Sequence, residues 1–190
     1  MKPTYEGFAA KRSSGFAQVP PVGHYVGEIQ GVKTEDSFDH SRENIVLMLE
    51  ITEGQYAGQY HKVYEEQKES FGDSVMYKGS LRLTPPIDGD EPWVREKFED
   101  QICCIQESNA DYHWDWDEKK LKGLKVGFSV RTLRYTGQDG SQKETTEIAR
   151  LQSIDDVRAG KLKILKERVK KPTNTAKKAT DVTGQVEVPF

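Results

Sequence analysis

From residue 20 onward, apolar side chains recur at two spacings, and the spacing switches at glycines and prolines. In HYVGEIQGVK, Tyr25, Gly27, Ile29 and Gly31 fall on one side and Val26, Glu28, Gln30 and Val32 on the other. Period two predicts a strand from about His24 to Lys33, and its two interior glycines predict a bend or bulge. NIVLMLEI, residues 44 to 51, is the most apolar candidate strand, and Gly54 and Gly58 punctuate the turn after it. A third strand is predicted from Gln59 to Tyr64, with Tyr60, Lys62 and Tyr64 on one face. Residues 65 to 79 are polar and ambiguous, and 80 to 83 read as a short strand or a helix end. EPWVREKFEDQICCIQES, residues 91 to 108, repeats its apolar side chains every three or four positions and predicts a helix with Pro92 in its first turn. A long loop follows, then strands from Lys125 to Tyr135 and Lys143 to Gln152 about the turn signal Asp139-Gly140. SIDDVRAGKLKILKERVKK reads as a short helix or strand docked on the domain.

Three strands, a helix and two strands give a mainly β protein. That order is the order of a five-stranded OB-fold-like Greek-key barrel with its helix between strands 3 and 4. Pro20-Pro21 and Gly23 mark the domain entrance, so residues 1–20 read as an N-terminal arm. The domain is placed at 21–165, and 166–190 reads as a tail, basic then acidic, with PTNTAKKATDVTGQ as a linker.

The 190 residues carry a formal net charge of −3, unevenly placed. From Arg158 to Lys178 there are nine Lys/Arg against one Glu, whereas the stretch after Lys178 carries Asp181 and Glu187 with no base. Such asymmetry keeps nucleic acid open as a partner. No apolar run approaches the roughly 18 residues of a membrane span, and the N-terminal stretch lacks the apolar core of a secretory signal. The cysteines are the adjacent pair Cys103 and Cys104, which gives no disulfide framework. The expected location is the cytoplasm.

Candidate chemistry is sparse. The sequence has no phosphate loop, dinucleotide fingerprint or nucleophile elbow. His24, His40, His61 and His113 show no metal-ligand spacing. In DYHWDWD, Asp111, His113, Asp115 and Asp117 could gather round a cation, but the calcium-loop frame is missing. Trp114 and Trp116 read as plugging a barrel end or packing on the helix, with base stacking as the alternative. The expectation is no cofactor, no metal and no catalytic residue, although scattered carboxylates leave a two-metal nuclease open. A single strand of nucleic acid needs cations for its phosphates and aromatic rings for its bases. Tyr60, Lys62, Tyr64, Arg82, Arg131, Tyr135 and Lys143 offer that combination, and KLKILKERVKK could extend the path.

PPVGHYVGEIQGVKTEDS, NIVLMLEITEGQYAG, and ESN ahead of WDWDEKKLKGLKVG together resemble a family of small phage and mobile-element proteins of replication and recombination clusters. These look like OB-fold single-stranded-DNA-binding proteins. The likeness spans about residues 20 to 165. The resemblance implies a DNA-coating protein that works in the host bacterial cytoplasm and can form homo-oligomers. Separately, VEVPF resembles the acidic, Pro-Phe-ending tip of bacterial single-stranded-DNA-binding proteins, with isolated acids in place of a run. It implies that Glu187, Val188, Pro189 and Phe190 recruit replication or recombination proteins, Phe190 filling an apolar pocket. The alternative is a protein-only adaptor of such a complex.

Overall fold

The computed structural model describes residues 18–137 and 139–170. It is mainly β: a six-stranded mixed sheet with a few helices. Strand β1 (Gly23–Asp36) pairs antiparallel with β2 (Glu43–Ile51), and helix α1 (Gln59–Phe71) follows. The short strand β3 (Ser80–Leu83) pairs with β2, and helix α2 (Pro92–Ser108) leads through a 3-10 turn (Glu118–Leu121) to β4 (Lys125–Thr136). Strand β4 pairs with β1 on one side and with β5 (Gln142–Gln152) on the other. Helix α3 (Ile154–Ala159) and strand β6 (Arg168–Lys170) complete the described fold.

The antiparallel path runs β3-β2-β1-β4-β5, and β6 joins β4 in parallel. The path's two ends, β3 and β5, are not hydrogen-bonded to each other. A cavity of about 480 Å³ lies in the region between them, lined by Arg42, Leu81, Arg82, Leu83, Trp93 and Ala149 among others.

The alternating side chains do what their period requires. Ile45, Leu47, Leu49 and Ile51 of β2 share one core with Ile29 of β1 and Val126, Phe128 and Val130 of β4, and Phe98, Ile102 and Ile105 of α2 close over them. Each such side chain fully removed from water contributes about 1.5–3 kcal/mol. The expected irregularity in β1 is present: the β1–β2 register shifts between Ile29 and Gly31. At Gly27 a Cβ would meet the Glu50 carbonyl oxygen at 2.2 Å and the Phe128 ring at 2.7 Å, so only glycine fits.

The predicted third strand is a correction. Residues 59–64 begin α1, and the third strand is Ser80–Leu83. Helix α1 has no side-chain cap of its own, because Gly58 precedes it. Its first amide groups are met instead by Glu50, a β2 side chain only 7% exposed. One Glu50 carboxylate oxygen accepts from the Tyr60 N–H at 3.1 Å, the other from the His61 N–H at 2.5 Å and from the Tyr77 hydroxyl at 3.1 Å. A carboxylate at a helix N-terminus satisfies orphan donors and complements the helix dipole. Burial, and then the Glu50 charge, push the Tyr77 phenol well above its usual range.

Strand β6 lies in the sheet, so the ordered fold includes residues assigned from sequence to the start of the tail. Residues 1–17 of the arm, and 171–190 with the Glu187–Phe190 tip, fall outside the described residues. Among the described residues, no helix is long and apolar enough to cross a membrane.

Candidate nucleic-acid interface

Beyond Val130, β4 leaves β1 behind and continues with β5 alone on one edge. The hairpin that results is locally specified. Asp139 accepts from the Ser141 hydroxyl at 2.6 Å and its N–H at 3.1 Å, and Gly140 takes the left-handed φ of 76° that the turn needs. The Ser141 bonds, with help from Lys143, hold the Asp139 carboxyl below its usual range.

Strand β6 fills the edge that β1 vacates. Its register sets Arg168 beside Leu133, Val169 beside Arg134 and Lys170 beside Tyr135. On the other side, Arg131 faces Glu147, Leu133 faces Thr145 and Tyr135 faces Lys143. Side chains alternate across a sheet and paired residues point the same way. One face of β5–β4–β6 therefore carries Arg131, Leu133, Tyr135, Lys143, Arg168 and Lys170. Its single carboxylate is Glu147, which pairs with Arg131 at 2.7 Å and Arg168 at 3.4 Å. Lys143 reaches Asp139 in the turn at 3.3 Å. On the opposite face Arg134 is held by Glu144 and by Glu167, each at 3.2 Å.

The sequence-predicted site residues thus divide. Arg131, Tyr135 and Lys143 are brought together, and the basic segment beyond residue 160 joins them. Arg168 and Lys170 lie in KLKILKERVKK, the segment expected to extend the path, and not among the seven residues named singly. The signal for them was the local excess of bases, but their partner strand lies more than thirty residues earlier in the chain. Arg82 stands apart on β3, paired with Glu35 at 2.7 Å, and Lys33 holds the same carboxylate at 2.6 Å. Lys62 and Tyr64 lie on α1, not on a strand; Lys62 is exposed, while Tyr64 sets its ring edge-on against Tyr77. Tyr60 is 2% exposed in the core beside Phe128, so its ring has no face to offer a base.

The DYHWDWD carboxylates are used locally. Asp115 accepts from Lys120, and Asp117 caps the 3-10 turn by accepting from the Lys119 N–H at 3.2 Å. Among the described residues no group of three or more His, Cys, Asp or Glu is placed to hold a metal ion. Trp114 and Trp116 pack on α2 through Phe98. Neither cysteine is primed as a nucleophile. Burial pushes the Cys104 thiol up to about 12, and the Glu107 carboxylate raises that of exposed Cys103. The chain matches no protein-family model and no curated protein.

Proposed function

We propose that the protein binds single-stranded DNA, with little regard to sequence, along the β5–β4–β6 face. The observation that carries this reading is the parallel pairing of β6 with β4, which adds Arg168 and Lys170 to Arg131, Tyr135 and Lys143. Cations meet phosphates there, while the Tyr135 ring and the Leu133 side chain offer apolar contact to bases. The strand path and the position of α2 between β3 and β4 support an OB-fold-like architecture in which β3 and β5 approach to close a barrel. The loops at 37–42 and 137–141 then correspond to the two that flank the binding surface of such folds. In this reading the protein is a binding protein rather than an enzyme, and Glu187, Val188, Pro189 and Phe190 engage replication or recombination partners.

Fluorescence anisotropy of a labelled oligo-dT of about 30 nucleotides tests the reading, since one OB-fold covers about 4–16 nucleotides. The triple variant Lys143→Ala, Arg168→Ala, Lys170→Ala is expected to weaken binding and flatten the salt dependence. Losing three phosphate contacts lowers the log–log slope by about 2. An unchanged affinity and slope refute it.

One observation favours the protein-only adaptor. Many basic side chains of the described residues are already ion-paired: Arg42 with Asp90, Arg82 with Glu35, Arg131 with Glu147, Arg158 with Glu53. That reading predicts no affinity for any oligonucleotide at low salt.

A further inference from the structure

Outside the β5–β4–β6 face, the structure has an aromatic cleft of about 740 Å³. A single stripe of α2, comprising Arg95, Glu99, Cys103 and Gln106, forms one wall. The turn at Ile87 and Asp88 forms a second, and Trp114 and Trp116 form a third. The Trp116 ring lies nearly parallel to Phe98, at 5.9 Å between centroids and 15° between planes. Phe98 is buried, whereas Trp116 is 65% exposed. A bulky residue with positive φ is an outlier, and Trp116 has φ of 67°. The loop that holds it there is pinned by the Asp115 and Asp117 contacts. An indole is thus backed on one side and open on the other, in a cleft within the 300–1,000 Å³ range of small-molecule sites.

The polar groups around it narrow the occupant. Asp88, Glu99 and Arg95 line the cleft and form no ion pair with another described residue. A purely aliphatic ligand would use neither the indole face nor the two carboxylates. A planar ring bearing an amino group answers them: its face stacks on Trp116 and its N–H groups donate to a carboxylate, the pairing by which Asp and Glu read the cytosine amine. We propose that this cleft receives one unpaired nucleobase carrying an exocyclic amine, with Arg95 available to the adjoining phosphate. The inference rests on the single-strand reading above and refines it. The cleft adds a base preference to a face that has none, because thymine lacks the amine.

The test compares oligo-dC with oligo-dT by anisotropy on the full chain at mildly alkaline pH. The wild type is expected to prefer dC by about fivefold or more, the lower end of one good base contact. Asp88→Ala/Glu99→Ala, which removes both acceptors, brings that ratio to about one without weakening dT, since removing acids reduces repulsion. Trp116→Phe keeps the ratio and Trp116→Ala loses it, with thermal unfolding showing whether each variant is folded. Equal affinities in the wild type, or a preference that survives Asp88→Ala/Glu99→Ala, overturn the inference. If dT binds through Arg168 and Lys170 with no base preference, the cleft fails and the single-strand reading stands. If neither oligonucleotide binds, the reading itself falls, and the inference with it.

Discussion

Glu147 is the one carboxylate on the proposed binding face, and it occupies the place that a phosphate would take. Its Oε1 accepts from Arg131 Nε at 2.8 Å and lies 2.7 Å from Arg131 Nη2, and its Oε2 lies 3.4 Å from Arg168. A phosphate drawn to either arginine must approach that charge or displace it. At about 4 Å the repulsion is about 1 kcal/mol in water and about 4 kcal/mol at an effective dielectric of 20. The Arg131 and Glu147 side chains are 26% and 21% exposed, so the repulsion lies between these figures, and its lower bound of about 1 kcal/mol corresponds to roughly fivefold in affinity. Glu147→Gln keeps the shape and removes the charge. Oligo-dT is therefore expected to bind at least about fivefold more tightly to this variant at low salt, with a steeper salt dependence because both arginines become free for phosphate. The fold should change little, because a partly exposed ion pair is worth only about 0–1 kcal/mol. Anisotropy titration at several salt concentrations, beside urea unfolding, reads both quantities. Weaker binding with unchanged stability would mean that Glu147 aims Arg131 rather than occupying its site, and the competition argument would be refuted.

Three further outcomes follow from the packing. Glu50→Ala strips the first amides of α1 of their acceptor, while the Tyr77 hydroxyl keeps the Leu49 carbonyl at 3.0 Å. Loss of this cap costs about 0.5–2 kcal/mol in urea unfolding, and the absence of a measurable loss contradicts the assignment. Burial and, secondarily, the Arg150 charge hold the His24 imidazole below its usual range. A depressed histidine contributes stability that is present above the unfolded value and declines as pH falls through it toward the folded value. Stability should thus drop below about pH 6.5, and His24→Gln should flatten that part of the profile. Alkylation at pH 8 should label exposed Cys103 well before half-buried Cys104, as peptide mapping would resolve.

Where local period and long-range packing agree, the chain could be read directly. Strands β1, β2, β4 and β5 and helix α2 follow their apolar spacing, and the bulge in β1 follows its glycines. The stretch after Gly58 could not be read that way. In QYHKVY, Tyr60, Lys62 and Tyr64 fit period two, while Tyr60, Val63 and Tyr64 fit one helical face, and the core buries Tyr60 and Val63. The helix-forming run EEQKES that follows favours the second pattern. The decisive contact is the buried carboxylate of Glu50, which no local window contains. The site shows the same limit. Arg131, Tyr135 and Lys143 were legible as one hairpin, but the strand that completes their face pairs in parallel across a helix and a linker. Nothing in RVK by itself names β4 as its neighbour.

The way β6 is attached bears on how binding would respond to salt. Its ladder with β4 spans three residue pairs, and its flanking charges reach across to the hairpin: Glu167 to Arg134 at 3.2 Å and Arg168 to Glu147 at 3.4 Å. None of its residues is buried, so the apolar contribution to docking is small. Exposed ion pairs weaken once salt shortens the Debye length to about 8 Å or less. Salt therefore acts on the face twice, by restoring counterions to the DNA and by loosening the strand that carries Arg168 and Lys170. The log–log slope should exceed the value set by the phosphate contacts alone. Hydrogen exchange separates the two effects without any DNA present. Amides of residues 168–170 should lose protection as salt rises, while those of β2 do not, and saturating oligo-dT should restore it. Protection of β6 that is indifferent to salt would leave counterion release as the whole of the salt dependence.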